Sequence, residues 1–101
     1  MTKVLVRFDE AINSAAGQSY FVQAMGKQRD DGLWEGWLEF LRVNSDDDPL
    51  SSGRETTQPN RRDLDYWAQG LTRVYLQGAL DRAERASASV RPNEFAPKVT
   101  R

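Results

Sequence analysis

The segment from Ser19 to Val43 constrains the fold most tightly, because two stretches of alternating side chains flank Asp30-Asp31-Gly32. An acidic pair followed by glycine marks a hairpin turn, since glycine accepts positive φ without steric cost. A two-residue loop at Asp31-Gly32 would set Ala24 against Glu39 and Phe40 against Gln23, mixing polar and apolar partners. A three-residue loop at Asp30-Asp31-Gly32 sorts them. One face then carries Tyr20, Val22 and Ala24 against Arg42, Phe40 and Leu38, with Gly26 opposite Gly36 and Trp34 near the turn. The other carries Phe21 against Leu41, Gln23 against Glu39, Met25 against Trp37 and Lys27 against Glu35. Opposite charges and aromatic partners across strands stabilise by roughly 0.2–1 kcal/mol each, and a one-residue slip loses them all. The three-residue register is therefore predicted, with Gly32 left-handed in a bulged turn.

The remaining elements are arranged around this hairpin. Lys3-Val4-Leu5-Val6-Arg7-Phe8 alternates and is rich in β-branched residues, which predicts a strand. From Asn44 to Gly53 the run Asp46-Asp47-Asp48-Pro49 repels itself and interrupts a ladder, which predicts a surface loop. Arg54-Glu55-Thr56-Thr57 follows as a short third strand. Asn60 is a good N-cap, and Asp63 stands where its carboxylate can reach back, so a helix starts at Arg61. Leu64, Trp67, Ala68, Leu71, Val74, Tyr75 and Ala79 form one helical stripe, and Leu76, Leu80 and Ala83 form a second. Either one helix buries both, or it breaks at Gly70 and Thr72 caps a second helix. Gly70 and Gly78 offer sites of close backbone approach.

The predicted fold class is α+β: an antiparallel sheet of three or more strands, from residues 20–29, 33–43 and 53–57. The helical segment from Arg61 to about Ala86 covers one face. Trp34, Leu38, Phe40, Tyr20 and Val22 should meet Trp67, Leu71 and Tyr75 in the core. Residues 1–86 then make a single domain, and Ser87 to Arg101, with few large apolar groups, reads as a flexible tail.

Composition narrows the chemistry. Fourteen basic and fifteen acidic side chains leave a net charge of −1, which excludes a generic polyanion binder, and 101 residues sustain one small core. No cysteine and no histidine are present, which removes disulfides, thiolate and imidazole metal sites, and thiol nucleophiles. No apolar run approaches the ~20 residues of a membrane span, and charges at Lys3, Arg7, Asp9 and Glu10 occupy the place of a signal peptide's apolar core. The expectation is a cytoplasmic domain with no cofactor and no membrane partner.

The words Asp31-Gly32-Leu33-Trp34-Glu35-Gly36-Trp37-Leu38-Glu39-Phe40, Arg54-Glu55-Thr56-Thr57-Gln58-Pro59-Asn60 and Tyr66-Trp67-Ala68, then Gly70-Leu71, Tyr75-Leu76 and Gly78-Ala79-Leu80, resemble a group of short bacterial hypothetical proteins. The likeness spans residues 20 to 86 and implies no activity or site residues. At fold level, three antiparallel strands and a helix also resemble plant-type three-stranded DNA-binding domains and double-stranded-RNA-binding domains. There the sheet is the reading surface, and Glu35 and Glu39 on this one would repel phosphate.

Three kinds of site remain to be weighed. Arg54, Arg61, Arg62 and Arg73, with Arg82 and Arg85, offer a nucleic-acid face, since eleven arginines against three lysines favour bidentate phosphate contacts. Interleaved Asp63, Asp65, Asp81 and Glu84 favour a solvated, internally paired surface instead. Asp46, Asp47 and Asp48 lack the spacing of a calcium loop, and Ser51 and Ser52 lack an activating base. Glu35 and Glu39 share a strand face, but Lys27 and Gln23 account for them without catalysis, so the expectation is a non-enzyme.

The leading candidate is the outward sheet face, where Phe21, Met25, Trp37 and Leu41 form an apolar patch rimmed by Lys27, Glu35 and Glu39. That composition suits a protein interface with a partner or with a second copy of the chain. The alternative is that the N-terminal strand or the tail covers these residues as a second small core.

Overall fold

The computed structural model describes the backbone of residues 1–90 and the side chains through Ser87; residues 91–101, most of the segment read as a tail, lie outside the described residues. The strands are β1 (Lys3–Arg7), β2 (Ile12–Asn13), β3 (Ser19–Gln28), β4 (Trp34–Arg42) and β5 (Leu50–Gln58). They are followed by helices α1 (Arg61–Gln69) and α2 (Arg73–Val90). The sheet is antiparallel with strand order β1-β3-β4-β5, and β2 pairs with the start of β3. The chain is thus α+β, with its helices on one face of the sheet.

The central hairpin adopts the register that parity requires. Phe21 pairs with Leu41, Gln23 with Glu39, Met25 with Trp37 and Lys27 with Glu35, without interruption. Gly32 closes the turn at φ 89°, and its N–H donates to the Arg29 carbonyl at 3.0 Å. The Leu33 N–H is held by Asp31 Oδ1 at 3.1 Å, so Asp31 shapes the turn as well as solvating it.

The edges of the sheet differ from the sequence reading. β5 begins at Leu50, inside the stretch read as a loop, because Leu50 pairs with Phe40 and packs against the core. Ser52 Oγ accepts the Leu38 N–H at 3.0 Å, and Gly53, at φ 76°, provides a bulge where the β4–β5 register shifts. β1 is an edge strand beside β3 with a bulge at Leu5, so both Leu5 and Val6 pack against the core. The N-terminal strand therefore extends the sheet and does not cover its outer face.

The helical segment does break at Gly70. Asn60 Oδ1 accepts the Asp63 N–H at 2.8 Å to start α1, and Thr72 Oγ1 accepts the Tyr75 N–H at 3.2 Å to start α2. The break lets each helix bury its own stripe. Leu64 and Ala68 go under from α1, and Leu76, Ala79, Leu80 and Ala83 from α2, against Ile12, Tyr20, Val22, Ala24, Leu38 and Phe40. Val74, expected in the first stripe, is 83% exposed and Tyr75 is 37% exposed, because the rotation introduced at the break turns them outward. Trp34 is only half-buried, with the Arg61 guanidinium 5.7 Å from its ring centroid. α2 continues to Val90, past Ala86 and into the stretch expected as tail.

Close approach occurs at neither Gly70 nor Gly78. At Gly78 an added Cβ would meet only Arg82 Nη1, at 3.7 Å. The glycines that matter are the cross-strand pair Gly26 and Gly36, over which α1 lies. A Cβ at Gly26 would stand 2.6 Å from Leu64 Cδ2, and one at Gly36 would stand 2.7 Å from Trp67 Cζ3.

Candidate functional site

Strand parity and the pairing pattern set the outer face in rows. The central row runs Val4, Met25, Trp37, Arg54 across the four long strands. On one side lies the polar row Arg7, Gln23, Glu39, Ser51, and beyond it Phe21 beside Leu41. On the other side of the central row lie Lys27, Glu35 and Thr57. Both helices pack on the opposite face, so no described helix or strand lies over these rows.

The four expected contact residues come together on this face but are not equally open. Phe21 is 47% exposed, Trp37 and Leu41 are half-buried, and Met25 is only 7% exposed. Met25 is the correction: with Val4 on one side and Trp37 on the other, it is the floor of the patch. Sequence parity identified the face but missed Val4, whose place depends on β1 being the neighbour of β3.

The polar groups around the patch are already engaged. Lys27 Nζ stands 3.7 Å from Glu35 Oε2. Glu39 accepts from Gln23 Nε2 at 3.5 Å and from Trp37 Nε1 at 3.4 Å, which fixes the indole over the sheet. Glu35 and Glu39 thus have the cross-strand partners that the register assigns them; Lys27 and Glu35 border the apolar rows, and Gln23 and Glu39 run between them.

The arginines do not converge. Arg54 belongs to the outer sheet face, whereas Arg61, Arg62 and Arg73 are carried by the helices on the other side. Arg61 pairs with Asp65 at 3.1 Å and Arg73 with Glu10 at 2.7 Å. Arg82 pairs at 3.0 Å with Glu55, whose side chain is only 9% exposed and also accepts the Tyr75 hydroxyl proton. That three-membered cluster ties α2 to β5. The hydrogen bond to Glu55, helped by desolvation, raises the Tyr75 pKa above its ordinary value near 10. Desolvation, with Glu84 nearby, raises that of Tyr20.

Two other features are chemically quiet. Asp47 pairs with Arg42 at 3.2 Å, and among the described residues no three potential ligands gather as a metal site. A groove of about 550 Å³ beside α2 is lined by Tyr20, Leu50, Asp81, Glu84 and Arg85 among others. Its Glu84 carboxylate is met by the Tyr20 hydroxyl at 3.4 Å. Among the described residues no buried side-chain nitrogen or oxygen lacks a hydrogen-bond partner, and no helix is long and apolar enough to cross a membrane.

No protein-family model matches the chain, and no curated protein or solved structure matches it. The functional reading rests on the geometry of the chain itself.

Proposed function

We propose that the chain is a small non-enzymatic interaction module that binds protein through the outer face of its sheet. The observation that carries this reading is Phe21, a large aromatic residue 47% exposed at one end of a sheet face with no described helix or strand above it. A half-exposed aromatic beside Leu41, with Trp37 and Met25 on the far side of the Gln23–Glu39 row, gives this face the mixed aromatic and polar composition of a contact surface. The arginines support a nucleic-acid partner less well, because they lie on both sides of the sheet and several are paired with carboxylates.

Trp37→Ala and Trp34→Ala test the reading together. Their strand parity sends them to opposite faces, so each controls for the other. Trp37→Ala should leave the fold nearly intact and weaken association by ~2 kcal/mol or more, as for an interface anchor, measured by sedimentation velocity and partner binding. Trp34→Ala should lower stability and leave association by the folded fraction unchanged. Unfolding by Trp37→Ala with no change in assembly would overturn the proposal.

A further inference from the structure

We infer that the occupant of the outer face is a second copy of the chain, docked about a two-fold axis that runs along the strands between β3 and β4. The inference rests on the reading of that face as an interaction surface. Its ground is the pairing of the central hairpin. An axis in the contact plane, parallel to the strands and midway between β3 and β4, carries β3 of one copy over β4 of the other and keeps every row at its own height. Each residue of β3 and β4 then faces the partner's version of its own cross-strand neighbour, and β1 comes to lie over the partner's β5.

Between β3 and β4 the facing residues are complementary in every row, while at the margins Val4 faces Arg54 and Arg7 faces Ser51. Met25 comes to face Trp37 and Phe21 comes to face Leu41, apolar on apolar. Gln23 faces Glu39, donor to acceptor, and Lys27 faces Glu35, so that the two intrachain ion pairs become a square of alternating charge. An axis laid across the strands at the Gln23–Glu39 row would instead set Glu39 against its own copy and leave Lys27 and Glu35 unmatched. Aligned sheets cross at about 30°, and the displacement this causes at the Lys27 end is within reach of a lysine and a glutamate side chain.

The size of the face fixes the strength. Three strands of about eight residues and the five residues of β1, at about 3.3 Å per residue and about 4.8 Å between strands, give roughly 450 Å² per copy, or roughly 900 Å² in all. That is just below the roughly 1,000 Å² of a specific interface, so the dimer should be weak and reversible.

Charge exchange in the full-length chain tests the geometry, read by sedimentation equilibrium at low salt up to several hundred micromolar protein. Lys27→Glu and Glu35→Lys should each weaken self-association by at least about tenfold, since each homodimer gains two like-charge contacts. An equimolar mixture of the two should associate about as well as the wild type, because every crossing pair is again opposite in sign. The double variant Lys27→Glu/Glu35→Lys should also dimerise normally, and this controls for folding. A mixture no better than either variant alone would overturn the inferred axis. A wild-type chain that stays monomeric throughout the range would overturn the second copy as occupant. Thiol labelling at Phe21→Cys separates the two levels: ready labelling of such a monomer leaves the face open for another protein, whereas protection means that the chain covers its own face and both readings fail.

Discussion

Gly36→Ala, a change of one methyl group, should destabilise the domain although alanine is ordinarily the better-tolerated residue. A Cβ at position 36 would lie 2.7 Å from Trp67 Cζ3, 2.9 Å from Leu64 Cδ1 and 3.1 Å from Thr56 Cγ2. Carbon atoms in good contact sit at about 3.5–4.0 Å, so three side chains would have to withdraw by roughly half to one ångström. Leu64 has no room to do so. It is fully buried, and its other methyl already lies 2.6 Å from where a Cβ on Gly26 would stand. Overpacking of this kind costs roughly 1–3 kcal/mol, and the reduced freedom of the unfolded chain returns about 0.4–1 kcal/mol. The net loss centres on about 1.3 kcal/mol and reaches about 2.6 kcal/mol, at roughly 4–8 °C in Tm per kcal/mol for a domain of this size. Gly78→Ala should act in the opposite sense and stabilise by about 0.5–1 kcal/mol, since it replaces a helical glycine with nothing in the way. Urea unfolding followed by circular dichroism measures both. Combining Leu64→Ala with Gly36→Ala should cost less than the sum of the single changes, because the shortened side chain vacates the space. Wild-type stability in Gly36→Ala, or an equal loss in Gly78→Ala, would refute the packing of α1 across the glycine pair.

Leu38→Ala and Leu80→Ala, both at fully buried positions, should each cost roughly 2–5 kcal/mol, with Leu71→Ala costing less because that side chain is only partly buried; chemical denaturation ranks them. Arg73→Ala should change stability by less than about 1 kcal/mol, since its pair with Glu10 is exposed, whereas Arg82→Ala deprives the largely buried Glu55 side chain of its cation and should cost roughly 1–3 kcal/mol in the same assay. The raised Tyr75 pKa means that the native state holds its proton more tightly than the unfolded chain does. This contribution is complete below pH ~10 and is lost as pH rises from there through the folded pKa, so Tyr75→Phe should flatten the alkaline fall in stability measured by urea midpoints between pH 8 and 11.

The central hairpin was legible because parity, the cross-strand charges and the turn glycine all demand one register. The break at Gly70 was legible as one of two options, and the hydroxyl of Thr72 at the start of α2 is what realises it. The failures were those of long-range placement. Leu50 to Ser52 look like loop residues in isolation, and it takes Phe40 and the Leu38 N–H on the neighbouring strand to make them a strand. Val74 satisfies the helical spacing, yet the turn between the helices rotates it into solvent. The patch of Phe21, Trp37 and Leu41 followed from parity, but the burial of Met25 did not, because it depends on which strand lies beside β3.

The chain has no cysteine, so single introduced thiols report on the two faces of β3 directly. Phe21→Cys and Val22→Cys are adjacent in sequence, but Phe21 is half-exposed and Val22 is buried beneath the helices. In dilute protein, maleimide should react with the thiol at position 21 at nearly the rate of a free thiol and should slow as protein concentration rises. At position 22 reaction must await opening, so it should be slower by a factor on the order of 10³ or more for a domain of ordinary stability. Equal protection at both positions in dilute protein would contradict an open interaction face and make the outer rows a second core.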